Sequence, residues 1–451
     1  MRIHFIAIGG SAMHNLAIAL KLKGYEVSGS DDEIFSPAKE RLEKYGILPK
    51  EIGWKTERIT KDLDAIILGM HAKEDNPELL KAKELGIKIY SYPEFLYEMS
   101  KDKTRIVVGG SHGKTTTTAM ILHAMQTNKT ETDYMVGALL EGFEVMVKFS
   151  KESKYMVLEG DEYLTSTLDR RPKFHLYKPN IAIITGIAWD HINVFPTFEN
   201  YCKQFEIFAD KIESNGTLIY CNEDEHVSKI AEKSRKDIVK LPYSTLPYEI
   251  ENGNTYILHK KKKYPIQVFG KHNLMNMHAA MLACEQIGIR NEDFLLSMQT
   301  FKGASNRLQL IKKNDNVSIF KDFAHSPSKL KATIEAVKDW FPNRKVLACM
   351  ELHTFSSLTK EFLQQYKGTM DKADEAMVYY NQHAIELKRL PDLNKEEIYS
   401  AFQKQDLKVY TDKNQMVSDI KQREIKNLCI LMMSSGNFDG LDFQKFADDL
   451  I

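Results

Sequence analysis

The sequence predicts an α/β protein of two or three domains, and three observations carry that reading. Short apolar runs alternate with stretches of helical spacing along the 451 residues. One run leads directly into a glycine-rich turn, Gly109-Gly110-Ser111-His112-Gly113-Lys114-Thr115, with a helical pattern behind it. The length exceeds what a single compact core holds.

Residues 2–8 form the first apolar run, and Gly9-Gly10-Ser11 breaks it. Residues 12–23 place Met13, Leu16, Ala17 and Leu20 at helical spacing before the stop at Gly24. A second strand over 25–28 ends at Asp31 and completes a βαβ unit with a glycine turn at its first crossover. Strands at 65–69 and 87–90 continue the alternation, so the first domain covers 1–102, closed by a polar linker, Ser100-Lys101-Asp102-Lys103. Arg105-Ile106-Val107-Val108 runs into the glycine turn, and a helix follows from 115 to about 126. Strands at 155–158 and 180–185 end in Glu159-Gly160-Asp161-Glu162 and in Asp190-His191. Ligands of open parallel sheets gather at such carboxyl ends. Segment 217–268 reads as shorter strands, with a turn at Asn252-Gly253 and a solvated basic hairpin at Lys260 to Lys263. The central domain covers 103–310. A third α/β pattern fills 311–451, with strands at 317–320, 345–348, 375–379 and 429–433.

Lys+Arg and Asp+Glu both number 62, so the net charge is zero. Such a chain gives no support for a nucleic-acid or membrane-surface partner, and anionic ligands must be held by local sites. The N-terminus lacks the pattern of a signal peptide, and no apolar stretch is long enough to cross a bilayer. The five cysteines are dispersed with no C-x-x-C pair, which argues for reduced thiols in the cytosol and against a zinc site. A cytoplasmic protein is expected.

The glycine turn is the strongest chemical signal. Glycines let backbone N–H groups approach phosphate oxygens, and the following helix points its positive end at the same place. Lys114 adds a cation for the β/γ-phosphates of ATP, and the Thr115 hydroxyl suits Mg²⁺. The strict pattern G-x-x-x-x-G-K-[ST] would need glycine at Val108, so this loop is one residue shorter. The competing reading, a glycine turn that happens to carry a lysine, does not account for the strand before it and the helix after it. Glu159, Asp161 and Glu162 either complete the Mg²⁺ site or dress a helix N-terminus. His191 is either structural or a second metal ligand. Gly9-Gly10-Ser11 with Asp31 resembles a dinucleotide fingerprint lacking its third glycine, and suits a nucleotide diphosphate without singling out NAD. Gly270-Lys271-His272-Asn273 opens a helix whose polar side chains either reach an adenine edge or cap the helix.

Taken in order, the glycine turn through Thr116, then Glu159 to Glu162, Asp190-His191, Gly270-x-His272-Asn273-x-x-Asn276, Asn306-Arg307-Leu308 and Asp322-Phe323-Ala324-His325-Ser326-Pro327 resemble the Mur ligase family along essentially the whole chain. The resemblance implies a Rossmann-like UDP-binding domain, a P-loop ATPase domain and a Rossmann-like C-terminal domain that presents an amine. It implies that a carboxylate of UDP-N-acetylmuramate takes the γ-phosphoryl group of ATP, and that an amine then displaces phosphate and leaves an amide. By position, Gly110, Ser111, His112, Gly113, Lys114, Thr115 and Thr116 would surround the ATP phosphates. Thr115 and Glu159 would hold one Mg²⁺ and His191 a second. Asn273 would approach adenine, Asp322 the ribose and Arg307 the phosphates, and His325 would line the closed site. Gly10, Ser11, Ala12 and Met13 would meet the UDP diphosphate, with Asp31 and Asn76 near the uridine.

Several positions depart from the family pattern. Asn306 stands where a second arginine is common, Ser326 where His or Asn is, and Ala7 where a glycine is usual. Phe205 occupies the register of the lysine that some branches carbamylate. Ala12 to Ala17 and Asp169-Arg170-Arg171-Pro172-Lys173-Phe174 are similar to the peptide-adding branch, which joins L-alanyl-γ-D-glutamyl-meso-diaminopimelate to UDP-N-acetylmuramate. That is the first expectation. Leu352-His353-Thr354-Phe355-Ser356 resembles the branch that adds L-alanine, which is the alternative. An NAD-linked oxidoreductase built on residues 1–100 is the rival from another class, and the missing third glycine and the phosphate loop count against it.

Overall fold

The computed structural model describes residues 1–140, 142–166, 168–189, 194–251, 254–303 and 308–451. The chain divides into two compact units. The described residues of 1–187, 194–244 and 279–297 form one, and those of 245–278 and 298–451 belong to the other.

The first unit carries two sheets. Strands β1 (Arg2–Ile6), β2 (Glu26–Ser30), β3 (Ala65–Leu68) and β4 (Ile89–Ser91) pair in parallel in the order β2-β1-β3-β4. The second sheet contains β5 (Thr104–Gly109), β6 (Asp133–Met135), β7 (Val147–Lys148), β8 (Tyr155–Glu159), β9 (Ile181–Ile184), β10 (Thr217–Cys221) and β11 (Val239–Tyr243). Their order is β11-β10-β9-β5-β8-β6-β7, with β7 antiparallel at the edge. Its inner strands are runs of Ile, Val, Leu and Met buried on both faces, as in a sheet covered by helices on each side.

The second unit holds a small antiparallel sheet, β12 (Tyr248–Glu251), β13 (Asn254–His259) and β14 (Lys262–Ile266). Lys260 and Lys261 form the tip of its second hairpin, exposed and both at positive φ, as expected of a solvated basic turn. Its main sheet contains β15 (Gln309–Lys313), β16 (Val317–Asp322), β17 (Lys345–Leu352), β18 (Glu375–Tyr380), β19 (Lys408–Tyr410) and β20 (Leu428–Met433). The order is β15-β16-β20-β17-β18-β19, with a core on each face.

One local expectation is corrected, and the stretch read as a linker at 100–103 is structured. The buried Arg105 guanidinium donates to the carbonyls of Ser100, Lys101 and Lys103 at 2.9, 2.9 and 3.0 Å and pins it as a tight turn. The first strand ends at Ile6, because Ala7 turns to φ +66 and leaves the β region. The Asn252-Gly253 turn lies outside the described residues.

Candidate active site

The central sheet changes direction of winding at β5, whose neighbours are β9 on one side and β8 on the other. Val108 pairs in register with Ile183 and with Glu159, so the carboxyl ends of three strands come level. This is where an open parallel sheet leaves a crevice. The chain leaves β5 through the glycine turn and enters the helix Lys114–Thr127. Gly110 sits at φ +135, and a Cβ there would run into the Thr185 hydroxyl and backbone, so only glycine fits. Gly113 takes φ +80 at the N-cap. The first bond of the helix runs from Thr117 N to the Gly113 carbonyl, leaving the N–H groups of Lys114, Thr115 and Thr116 at the turn without helical acceptors. The Ser111 N–H is engaged by the Gly186 carbonyl at 2.9 Å, and the Thr185 hydroxyl holds the His112 carbonyl. The loop is therefore preformed by its own sheet.

Lys114 Nζ donates to the Gly110 carbonyl at 2.6 Å and to Glu162 Oε2 at 2.7 Å. Glu162 is fully buried. Burial by itself would lower the Lys114 pKa, but the carboxylates of Glu162, Asp161 and Glu159 outweigh it, and the ammonium lies above its ordinary range. The Tyr201 hydroxyl donates to the other Glu162 oxygen at 3.2 Å and accepts from the Ser111 hydroxyl at 2.8 Å. Ser111, Tyr201, Glu162 and Lys114 thus close a chain of bonds around the loop. Asp161 pairs with Lys173 at 2.5 Å, and this cation with Lys114 holds its carboxyl below the usual range although burial would raise it.

Glu159 and Thr115 meet as expected. The Thr115 hydroxyl donates to Glu159 Oε1 at 2.9 Å, and the Gly137 N–H donates to Oε2 at 2.9 Å. A hydroxyl and a carboxylate at the mouth of a phosphate loop are the hard oxygen donors that Mg²⁺ takes, so these residues fit that ion. His191 and Arg307, both expected at this chemistry, lie outside the described residues, as do Asp190 and Asn306. Phe205 is buried and packs edge-on against Phe174 and Tyr201, with centroids 5.4 and 5.3 Å apart.

In the first sheet, Gly10 caps the helix Ser11–Leu22, Ser11 and Ala12 are exposed on its first turn, and Met13 turns into the core. Asp31 accepts from the Gly9 N–H at 2.6 Å and braces the glycine turn. Burial pushes its pKa up to about 6. Asn76 caps the helix Pro77–Glu84 through Oδ1, which accepts from Glu78 and Leu79 N–H groups at 3.0 and 3.1 Å. In the second unit, Asn273 lies near the start of the helix Lys271–Gln286 and donates to the Phe269 carbonyl at 2.8 Å. Asp322 ends β16; its carboxylate accepts from the N–H groups of Leu308 and Ala324 and from the Thr333 hydroxyl. His325 Nδ1 is bonded to the Phe323 carbonyl at 2.8 Å. Glu162 as the partner of Lys114, Thr185 and Tyr201 are the loop residues that motif reading missed. Tyr201 lies 90 positions beyond Ser111, with no local pattern to mark it.

Three family models cover most of the chain. The model described as the Mur ligase family catalytic domain matches residues 2–104, the Mur ligase middle domain 108–284, and the Mur ligase glutamate ligase domain 306–436. The chain belongs to the Mur ligase family. It is accordingly an ATP-dependent ligase that forms an amide bond. Among its relatives is a UDP-N-acetylmuramate–L-alanine ligase from Desulforamulus reducens, 32% identical over 383 residues, which cover 81% of this chain and 80% of that one. Its fold is shared by a murein peptide ligase from Psychrobacter arcticus, with a TM-score of 0.65 and 22% identity over 100% of this chain and 98% of that one. It is shared also by a UDP-N-acetylmuramate–alanine ligase from Thermotoga maritima, with a TM-score of 0.70 and 21% identity over 99% of this chain and 98% of that one. Among the described residues no helix is long and apolar enough to cross a membrane.

Proposed function

We propose that this Mur ligase activates the carboxylate of UDP-N-acetylmuramate with ATP and joins it to L-alanine. The observation that supports the ATP half is the pairing of Lys114 with Glu162 and of Thr115 with Glu159 at the phosphate loop. The sugar nucleotide and amine are those named for the sequence relatives. Their names reverse the order expected from the sequence, which put the peptide-adding branch first. The tripeptide stays as a second reading for one reason. Asp169 to Phe174, the segment similar to that branch, is a built element: Leu164 bridges Pro172, and Arg171 forks onto Asp169 at 2.7–3.1 Å.

A carboxylate is a poor electrophile because its negative charge repels a nucleophile. Its oxygen attacks the γ-phosphorus, the bond to the bridging oxygen breaks and ADP leaves. The amine nitrogen then attacks the acyl carbon, phosphate departs, and the nitrogen loses a proton. Lys114 and the free N–H groups at the helix start hold the phosphates and offset the charge that develops on them. Thr115 and Glu159 would hold Mg²⁺, which when bound neutralises charge on the β/γ-phosphate oxygens. Arg307 and His191 are proposed as further groups at the phosphates and at a second ion, Asn273 at adenine and Asp322 at ribose. Gly10 to Met13, Asp31 and Asn76 are proposed for the UDP moiety. The Asp31 carboxyl proposed there has its pKa raised by burial to about 6.

The test is phosphate release from ATP with UDP-N-acetylmuramate, L-alanine and the tripeptide being offered separately. Turnover with L-alanine alone is the expected result. Turnover with the tripeptide alone overturns the choice of amine, and no phosphate release with either overturns the substrate assignment. Lys114→Ala is expected to lower turnover by about 10²-fold or more.

A further inference from the structure

A cleft of about 820 Å³ opens in the first unit at the edge of its first sheet. There β4 and the helix Tyr92–Glu98 face the short turn Lys173–Leu176 and the helix Phe198–Asp210. None of the residues assigned above to ATP, metal or UDP lines it. The volume lies within the range of about 300–1,000 Å³ that small-molecule sites occupy.

Its walls carry five cations, Lys88, Arg170, Arg171, Lys178 and Lys211, against two carboxylates, Glu94 and Glu98. Both carboxylates are already engaged, Glu94 with Arg171 at 3.6 Å and Glu98 with Lys101 at 2.7 Å. Arg170, Lys178 and Lys211 are exposed and form no ion pair among the described residues. In a chain of zero net charge, this is a local excess of positive charge focused in a concavity. The field reaches the floor of the cleft. His175 is buried there, and its Nε2 donates to the Gln204 carbonyl at 2.7 Å. Burial first, and then Lys211 and Arg171, hold its pKa down at about 4. Two tyrosine rings line the same space. Lys178 Nζ lies 4.9 Å from the Tyr97 ring centre and Lys88 Nζ 4.6 Å from that of Tyr90. Ile89, Pro172, Leu176 and Ile207 complete an apolar wall.

Unpaired cations around an apolar wall with flat rings select a ligand that has both parts. We propose that this cleft binds a small phosphorylated molecule with a flat apolar body, separately from the phosphate loop. The phosphate would replace the missing anion among Arg170, Lys178 and Lys211, and the body would lie against the tyrosines and the aliphatic wall.

The probe is 4-methylumbelliferyl phosphate, titrated into the full chain by fluorescence, with uncharged 4-methylumbelliferone alongside. Saturable binding of the phosphate is expected, at least tenfold tighter than the uncharged compound. The double variant Arg170→Glu, Lys211→Glu is expected to weaken it at least tenfold. Should the double variant unfold, Arg170→Gln with Lys211→Gln replaces it, with at least threefold weakening expected. No saturable binding, equal affinity for the uncharged compound, or unchanged affinity in the cleft variants overturns the proposal. The readout is binding and not turnover, so it is independent of which carboxylate or amine the ligase uses.

Discussion

Replacing Glu162 by Gln removes one charge from the most buried ion pair at the phosphate loop while keeping the size of the side chain. Lys114 Nζ and Glu162 Oε2 are 2.7 Å apart, so at an effective dielectric of about 20 their attraction is about 6 kcal/mol. Part of that offsets the desolvation of both groups. Breaking one side of a buried pair costs about 3–5 kcal/mol, and the lower end applies here because Asp161 and Glu159 still face the ammonium. For a unit of this size about 3 kcal/mol lowers the thermal midpoint by about 6–12 °C. The pH dependence follows from the sign of the shift. The Lys114 pKa is raised, so the stability it contributes is present at and below the ordinary lysine range and is lost only as pH rises through the higher folded value. Without Glu162, burial meets less opposing charge and the ammonium pKa falls. The alkaline limb of kcat/KM for ATP then moves to lower pH than in the parent enzyme. Scanning fluorimetry and kcat/KM between about pH 6 and about pH 10 measure both effects. A midpoint within about 2 °C of the parent, with a superimposable pH profile, would refute the role given to this pair.

Other perturbations test separate links. Tyr201→Phe removes the hydroxyl between Ser111 and Glu162 and should cost about 1–3 kcal/mol in stability, with a several-fold rise in KM for ATP. The Asp31 carboxyl, pushed up to about 6 by burial, favours the folded state when protonated, and that stability is lost as pH rises from about 4 through about 6. Asp31→Asn should therefore gain about 2–3 kcal/mol on the parent between about pH 4 and about pH 7.5, read from urea midpoints. A constant difference between the two proteins would contradict it. Ala7 at φ +66 carries the cost of a left-handed L-residue, about 1–2 kcal/mol. Glycine relieves this strain but loses about 0.5–1 kcal/mol of the gain to the greater entropy of the unfolded chain, so Ala7→Gly should stabilise by about 0.5–1 kcal/mol in equilibrium unfolding.

The strand before Gly110 and the helix after Gly113 were legible because each is a local pattern, whereas the pairing of Thr115 with Glu159 came from the family resemblance and not from the spacing. Glu162 was visible only as one of three acids. Which of them takes Lys114 and which takes Lys173 depends on the path of the chain after β8, not on spacing. Asn76 was expected beside the uridine, and its Oδ1 caps the helix Pro77–Glu84, a bond that no motif marked. The peptide-adding branch was placed first on short segments, whereas a relative similar over the greater part of the chain carries the name of the L-alanine branch.

The sequence by itself determined the alternation of strands and helices, the phosphate loop and the family, because these reside in periodicity and in contiguous motifs. Tertiary structure alone decided that Tyr201 and Thr185 brace the loop, that Glu162 holds Lys114, and that a cationic cleft forms beside β4. The reason is physical. Those contacts join residues 39 to 90 positions apart, and strand register and helix packing bring them together, which no local pattern encodes.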